Sequence, residues 1–171
     1  FKRILPVARW IRSVSDAFIM ASFSVNMYGY TNAGLGAADL VRTARESSEI
    51  DGIGFNCGVG PAHLAKVLRR QDFGDLVVFA APNAGYADRI QNRNVYRDNI
   101  LYFGEAMEEI AGLGVNIIGG CCGTSPAYIR QLSRMPGGRM IPRRFTDRPE
   151  ERADKDISYN SNPFIRRLYS G

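Results

Sequence analysis

The sequence predicts an α/β fold built on a parallel sheet, and three observations predict it. Four short apolar strand patterns, at residues 17–25, 52–56, 76–80 and 115–118, are each followed by a segment of helical spacing. A strand–helix–strand alternation means right-handed crossovers between parallel neighbours. All three cysteines, Cys57, Cys121 and Cys122, fall just past the C-terminal ends of these strands, the place where parallel α/β folds build their sites.

Residues 1–14 place Ile4, Val7, Ala8, Trp10, Ile11 and Val14 at helical spacing, with Pro6 near the first turn. Ala17–Val25 is an apolar strand followed by a loop rich in Tyr, Asn and Gly. Leu35–Ser47 is a helix with Leu40, Val41 and Ala44 inward, and Gly52–Asn56 is the second strand. Pro61 at a favoured first-turn position opens a helix to Arg70. Leu76–Ala80 is the third strand, leading through Pro82-Asn83-Ala84-Gly85 into a long loop that ends near Arg97. Asn99–Leu113 is a helix with Leu101, Ala106, Met107 and Ile110 apolar, Val115–Ile118 the fourth strand, and Ser125–Arg134 its helix. Beyond Met135 the composition turns polar and rich in Pro and Arg, the signature of a linker. The domain boundaries expected are therefore 1–135 for the α/β unit and 136–171 for the tail.

Composition narrows the classes of function. A chain of 171 residues can bury one sizeable core. No run of about 18 apolar residues predicts a membrane span. The net charge of +5 gathers near the C-terminus, at Arg139, Arg143, Arg144, Arg148, Arg152, Arg166 and Arg167. It is interspersed there with Asp147, Glu150, Glu151, Asp154 and Asp156 and has no aromatic stacking platform, so a solvated linker is read rather than a nucleic-acid footprint. Three cysteines, two of them adjacent, fit a reducing, cytoplasmic setting better than a disulfide scaffold.

The chemistry concentrates in Gly114–Gly123, which reads Gly-Val-Asn-Ile-Ile-Gly-Gly-Cys-Cys-Gly. Neighbouring side chains on a strand point to opposite faces, so Cys121 and Cys122 can serve one target only past the strand's end. Gly119, Gly120 and Gly123 permit the turn this needs. Adjacent cysteines make a poor disulfide, because one peptide unit holds their Cα atoms about 3.8 Å apart. Two such thiols read as metal ligands or reactive groups. Cys57 sits in an echo of this setting, a short strand that breaks at Cys57-Gly58.

These blocks resemble the zinc-dependent homocysteine S-methyltransferases. The family includes the homocysteine-binding module of cobalamin-dependent methionine synthase and betaine–homocysteine methyltransferase. The resemblance rests on Gly54-Phe55-Asn56-Cys57, Pro82-Asn83-Ala84-Gly85 and Gly119-Gly120-Cys121-Cys122-Gly123-Thr124-Ser125-Pro126, in that order and at that spacing. It covers roughly Ala17 to Met135, the second half of the family's domain. It implies the C-terminal half of a (β/α)8 TIM barrel, about strands five to eight.

The resemblance also implies Zn²⁺ as cofactor, with Cys57, Cys121 and Cys122 as its ligands. Three protein ligands and an open fourth position are the catalytic zinc pattern, and a soft thiolate suits such a centre. Homocysteine would fill the open position and accept a methyl group. Asn83 matches an Asn that approaches zinc in some members. Asn56, beside its cysteine, is assigned a supporting role around the site. The resemblance places the groups that hold homocysteine's amino and carboxylate ends upstream of Phe1, in a missing N-terminal half-barrel. The chain alone is then expected to be inactive, and the methyl donor is not legible. Asn162-Pro163-Phe164 in the tail is similar to the start of a methylenetetrahydrofolate reductase domain, a downstream partner in bifunctional relatives.

A different reading treats the glycine turn before the last helix as a cradle for phosphate or another small anion, with non-catalytic cysteines. Adjacent thiols serve no purpose there. His63, the only histidine, is read as a surface residue off the metal. Trp10 is read as core, and Tyr28 and Tyr30 as loop residues at the site end.

Overall fold

In a computed structural model the chain is described at Phe1, residues 3–96 and residues 99–135. The elements in order are α1 (Ile4–Val14), β1 (Met20–Phe23), α2 (Ala37–Glu46), β2 (Gly52–Asn56), α3 (Pro61–Leu68), β3 (Val77–Ala81), β4 (Ala87–Ile90), β5 (Arg93–Tyr96), α4 (Ile100–Gly112), β6 (Ile117–Ile118) and α5 (Pro126–Leu132). The tail expected to be a linker and the start of a downstream domain, residues 136–171, lies outside the described residues.

β1, β2, β3 and β6 form one parallel sheet in that order, so each crossover adds its strand beside the one before. The expected parallel α/β architecture is present. Alternation along the strands gives the sheet two unlike faces. Ile53, Phe55, Val78 and Ala80 are fully buried against the helices, in one core with Leu40, Leu64, Phe103, Met107, Ile110 and Tyr128. Each large side chain in that layer contributes about 1.5–3 kcal/mol by leaving water. The opposite face carries Met20, Ser22, Val77, Phe79 and Ile117, which are half-buried or exposed.

Local chemistry fixes where the helices begin. α3 starts at Pro61, whose missing N–H is one the first turn leaves unused in any case. α4 is capped by Asn99, whose side chain accepts from the Tyr102 N–H at 3.2 Å. The Asn99 N–H in turn donates to the Tyr128 hydroxyl at 3.0 Å, and the Phe103 and Tyr128 rings meet edge to face at 5.1 Å, so α4 and α5 are fastened together.

Three expectations are corrected. The long loop after β3 contains an antiparallel hairpin, β4–β5, closed by Gln91 and Asn92 with φ of 47° and 60°. Two successive left-handed residues make the turn whose twist suits a two-residue hairpin. The first and last strands are shorter than the apolar runs suggested, Met20–Phe23 and Ile117–Ile118. Trp10 is 59% exposed rather than core, because α1 packs through Ile4, Ala8, Ile11 and Arg12 and turns Val7, Trp10 and Val14 outward.

Candidate metal centre

Three loops at the C-terminal ends of β2, β3 and β6 build the site. The first turns sharply at Cys57 and Gly58, both left-handed at φ 59° and 74°. A Cβ at position 58 would collide with the Val25 carbonyl oxygen and stand 2.8 Å from Ser24 Oγ, so only glycine fits there. The third loop carries Cys121 and Cys122 after the glycines that end β6.

The middle loop, Pro82-Asn83-Ala84, spaces the other two. The Cys57 N–H donates to the Ala81 carbonyl at 3.0 Å, and the Asn83 N–H to the Val59 carbonyl at 3.0 Å. On the other side the Cys121 N–H donates to the Pro82 carbonyl at 2.9 Å, and the Ala84 N–H to the Cys122 carbonyl at 2.9 Å. Four backbone hydrogen bonds thus carry the register of the sheet into the loops. They close the gap between strands that are next-but-one neighbours.

The result is a cluster of thiols. Cys57 Sγ lies 3.4 Å from Cys122 Sγ, Cys121 Sγ lies 4.0 Å from Cys122 Sγ, and all three sulfurs fall within 4.8 Å of one another. Tetrahedral ligands at a Zn–S distance of about 2.3 Å stand roughly 3.8 Å apart, so the donor set fits one such ion with little movement. The electrostatics agree. Cys57 is held below the ordinary thiol range, first by its hydrogen bond from Cys122. Cys122 is pushed up to about 11, first by hydrogen bonding to Cys57 and next to Cys121. Thiols this close cannot all ionise without a cation between them. Among the described residues this is the one group of His, Cys, Asp and Glu side chains placed to hold a metal ion. His63 lies outside it, with its ring against Tyr86 at 5.4 Å.

The two asparagines sit beside the cluster in different ways. Asn56 Oδ1 accepts from the Ser22 hydroxyl at 2.7 Å, which fixes the amide at the end of β2. Asn83 Oδ1 is buried and has no hydrogen-bond partner, an arrangement native proteins keep for a reason. Tyr28 and Tyr30 are 74% and 51% exposed.

Tyr96, at the end of β5, went unnoticed in the sequence. A Cβ at Gly123 would fall 2.6 Å from Tyr96 Cδ1 and 2.7 Å from its Cβ, so the ring stands directly on the glycine after Cys122. The phenol is raised above its ordinary range, first by burial and then by the neighbouring Cys122 and Cys57. The signal that could have found it is the alternation of Arg93-Asn94-Val95-Tyr96 after a polar two-residue turn.

Fold and site together define a parallel α/β unit with a three-thiol centre at its strand ends. The family model for homocysteine S-methyltransferase matches residues 5–135, and the chain belongs to that family. The methionine synthase of Mycobacterium tuberculosis is 35% identical over 133 residues, covering 75% of this chain and 10% of that protein. The methionine synthase of Mycobacterium leprae is 30% identical over 129 residues, covering 74% and 10%. The chain therefore spans about a tenth of the length of these relatives. Among solved structures it is similar to the homocysteine methyltransferase MmuM from Escherichia coli. The apo form aligns with a TM-score of 0.52 at 21% identity, over 76% of this chain and 44% of that one. The metallated form aligns with a TM-score of 0.53 at 22% identity, over 77% and 40%. At these identities the likeness is one of fold. Among the described residues no helix is long and apolar enough to cross a membrane.

Proposed function

We propose that this chain is part of an enzyme that transfers a methyl group to the thiol of homocysteine, giving methionine, with Zn²⁺ held by Cys57, Cys121 and Cys122. The observation that carries the reading is the set of three sulfurs within 4.8 Å, on loops registered by the sheet. Membership of the family supports homocysteine as the substrate. Zinc there would supply the Lewis acidity that keeps an incoming thiol deprotonated near neutral pH. The chain's own residues hold the geometry. The Pro82-Asn83-Ala84 loop sets the spacing of the thiols, Ser22 orients Asn56, and Asn83 on the middle loop keeps a buried side-chain oxygen without a partner. In the transfer the sulfur–carbon bond forms as the bond from methyl to donor breaks, its electron pair leaving with the donor and the thiol proton going to solvent.

The four parallel strands are read as one half of a (β/α)8 barrel. Their order is monotonic, with β1 and β6 at the edges, as a segment of a closed barrel requires. The face without helices carries Phe79, half-buried, and Ile117, 45% exposed, with no wall opposite among the described residues. The outward stripe of Val7, Trp10 and Val14 on α1 offers a further apolar surface to a neighbouring element. Homocysteine's amino and carboxylate ends and the methyl donor would then be held by the other half, and 171 residues alone would not turn over. The competing reading, a phosphate cradle at the glycine turn, has less in its favour, because the Tyr96 ring takes the space over Gly123.

The test replaces Cys57, Cys121 and Cys122 singly with Ser in the full-length protein. Zinc per chain is measured by mass spectrometry alongside homocysteine methylation. Each variant should fall from about one zinc per chain to a small fraction of that and lose methylation with it. Stoichiometric zinc in any variant would remove that residue from the ligand set, and in all three would overturn the reading.

A further inference from the structure

The β4–β5 hairpin is fastened to the cysteine pair at both of its ends. Just before it, the Ala84 N–H donates to the Cys122 carbonyl. At the end of its second strand, where Tyr96 pairs back with Ala87, the Tyr96 ring stands on Gly123. Gly123 takes φ 80° and admits the ring only because it lacks a Cβ. β4 and β5 form a sheet of their own, and Ile90 and Val95 are exposed. An isolated two-stranded hairpin is marginal in water, so its attachment to the Cys122-Gly123 turn fixes the hairpin as much as the turn.

We propose that Tyr96 is a positioning residue of the thiol centre, its ring clamping the Cys122-Gly123 turn and its phenol serving as a hydrogen-bond donor to the Cys122 sulfur. The proposal rests on the metal-centre reading above. Groups that hydrogen-bond a ligand orient it and tune its donor strength. A phenol that donates to a thiolate withdraws electron density from the sulfur. Its removal lowers the energy of charge transfer from that sulfur to a bound metal.

The experiment loads the full-length protein with Co²⁺ and records the sulfur-to-cobalt charge-transfer band and the cobalt affinity by chelator competition. Wild type, Tyr96→Phe and Tyr96→Ala are compared. Tyr96→Phe keeps the ring on Gly123 and should move the band to lower energy with little loss of affinity. Tyr96→Ala should move the band and weaken cobalt binding roughly tenfold. Far-ultraviolet circular dichroism checks that Tyr96→Ala is folded; should it unfold, Tyr96→Phe decides alone. An unmoved band in Tyr96→Phe, with the wild type showing normal cobalt–thiolate absorption, overturns the Tyr96 proposal and leaves the metal centre standing. A wild type without cobalt–thiolate absorption overturns both.

Discussion

The two ends of the parallel sheet are built on opposite terms. At the N-terminal end, Arg12 is nearly buried and satisfied from several sides. It ion-pairs with Asp51, and donates to the Glu49 carbonyl at 3.2 Å and the Ala17 carbonyl at 2.5 Å. Asp51 also accepts the Ile19 N–H at 2.7 Å, so the helix α1 and the strands β1 and β2 meet at one polar knot. At the C-terminal end the polar groups are crowded or unpaired. Three thiols press together, Asn83 Oδ1 lacks a partner, and Cys57 is held in a left-handed conformation. Strain and unsatisfied groups persist where surrounding structure over-determines them, and they collect at functional sites. On the proposed function one end serves stability and the other binding, so substitutions at the two ends should separate the two properties.

The largest effect is expected at the N-terminal end. Arg12→Met keeps the aliphatic stem and removes the charge that pairs with Asp51. Breaking a buried pair from one side costs about 3–5 kcal/mol. The Arg12 side chain is 10% exposed and that of Asp51 22%, so the low end of that range applies. Urea unfolding of the full-length variant should show a loss of about 3 kcal/mol, while zinc per chain stays as in the wild type. Loss of zinc without loss of stability would mean that the two ends are not separable.

The sequence made the sheet and the cysteines that cluster at its end legible, but not the parts that depend on tertiary contact. Apolar strand patterns followed by helical spacing located all four parallel strands, because burial on the helix side demands runs such as Ile53 to Phe55. The three cysteines were legible because each stands beside a glycine at a strand end. The hairpin was hidden because its turn is Gln91-Asn92, with no glycine to announce two left-handed residues. Tyr96 was hidden with it, since its place on Gly123 follows only once β4 and β5 pair. Trp10 was misread because helical spacing shows that apolar residues share a helix, not which of two apolar stripes packs inward.

A smaller effect of opposite character is expected at the site end. Cys57 adopts φ 59°, where an L side chain costs about 1–2 kcal/mol and glycine costs almost none. Cys57→Ala and Cys57→Gly should both lose the metal. In the metal-free state Cys57→Gly should be the more stable by about 1 kcal/mol, the reverse of the usual order for these two residues. Equal unfolding midpoints, or the usual order, would show that position 57 stores no backbone strain.

The smallest effect tests the edge of the N-terminal knot and is read through pH. Glu49 accepts from the Ser47 hydroxyl at 2.8 Å and from Arg9 at 3.1 Å. These partners, Ser47 first and then Arg9, hold its carboxyl below the ordinary value of 4.5. A carboxyl depressed on folding adds stability that is fully present above its unfolded value and is lost as pH falls through the folded one. The Glu49 side chain is 18% exposed but its partner Arg9 is 73% exposed, so water and salt screen the pair. The contribution at neutral pH should be about 0.2–1 kcal/mol. Glu49→Gln should therefore unfold slightly more easily than the wild type at pH 7. The difference should shrink as the buffer is taken below 4.5 and disappear once the native carboxyl is protonated. Adding salt at pH 7 should shrink it as well, whereas the Arg12→Met deficit, drawn from a largely desolvated pair, should persist. A Glu49→Gln deficit that persists undiminished in acid would assign the loss to packing rather than charge, and would place Glu49 inside the knot instead of at its rim.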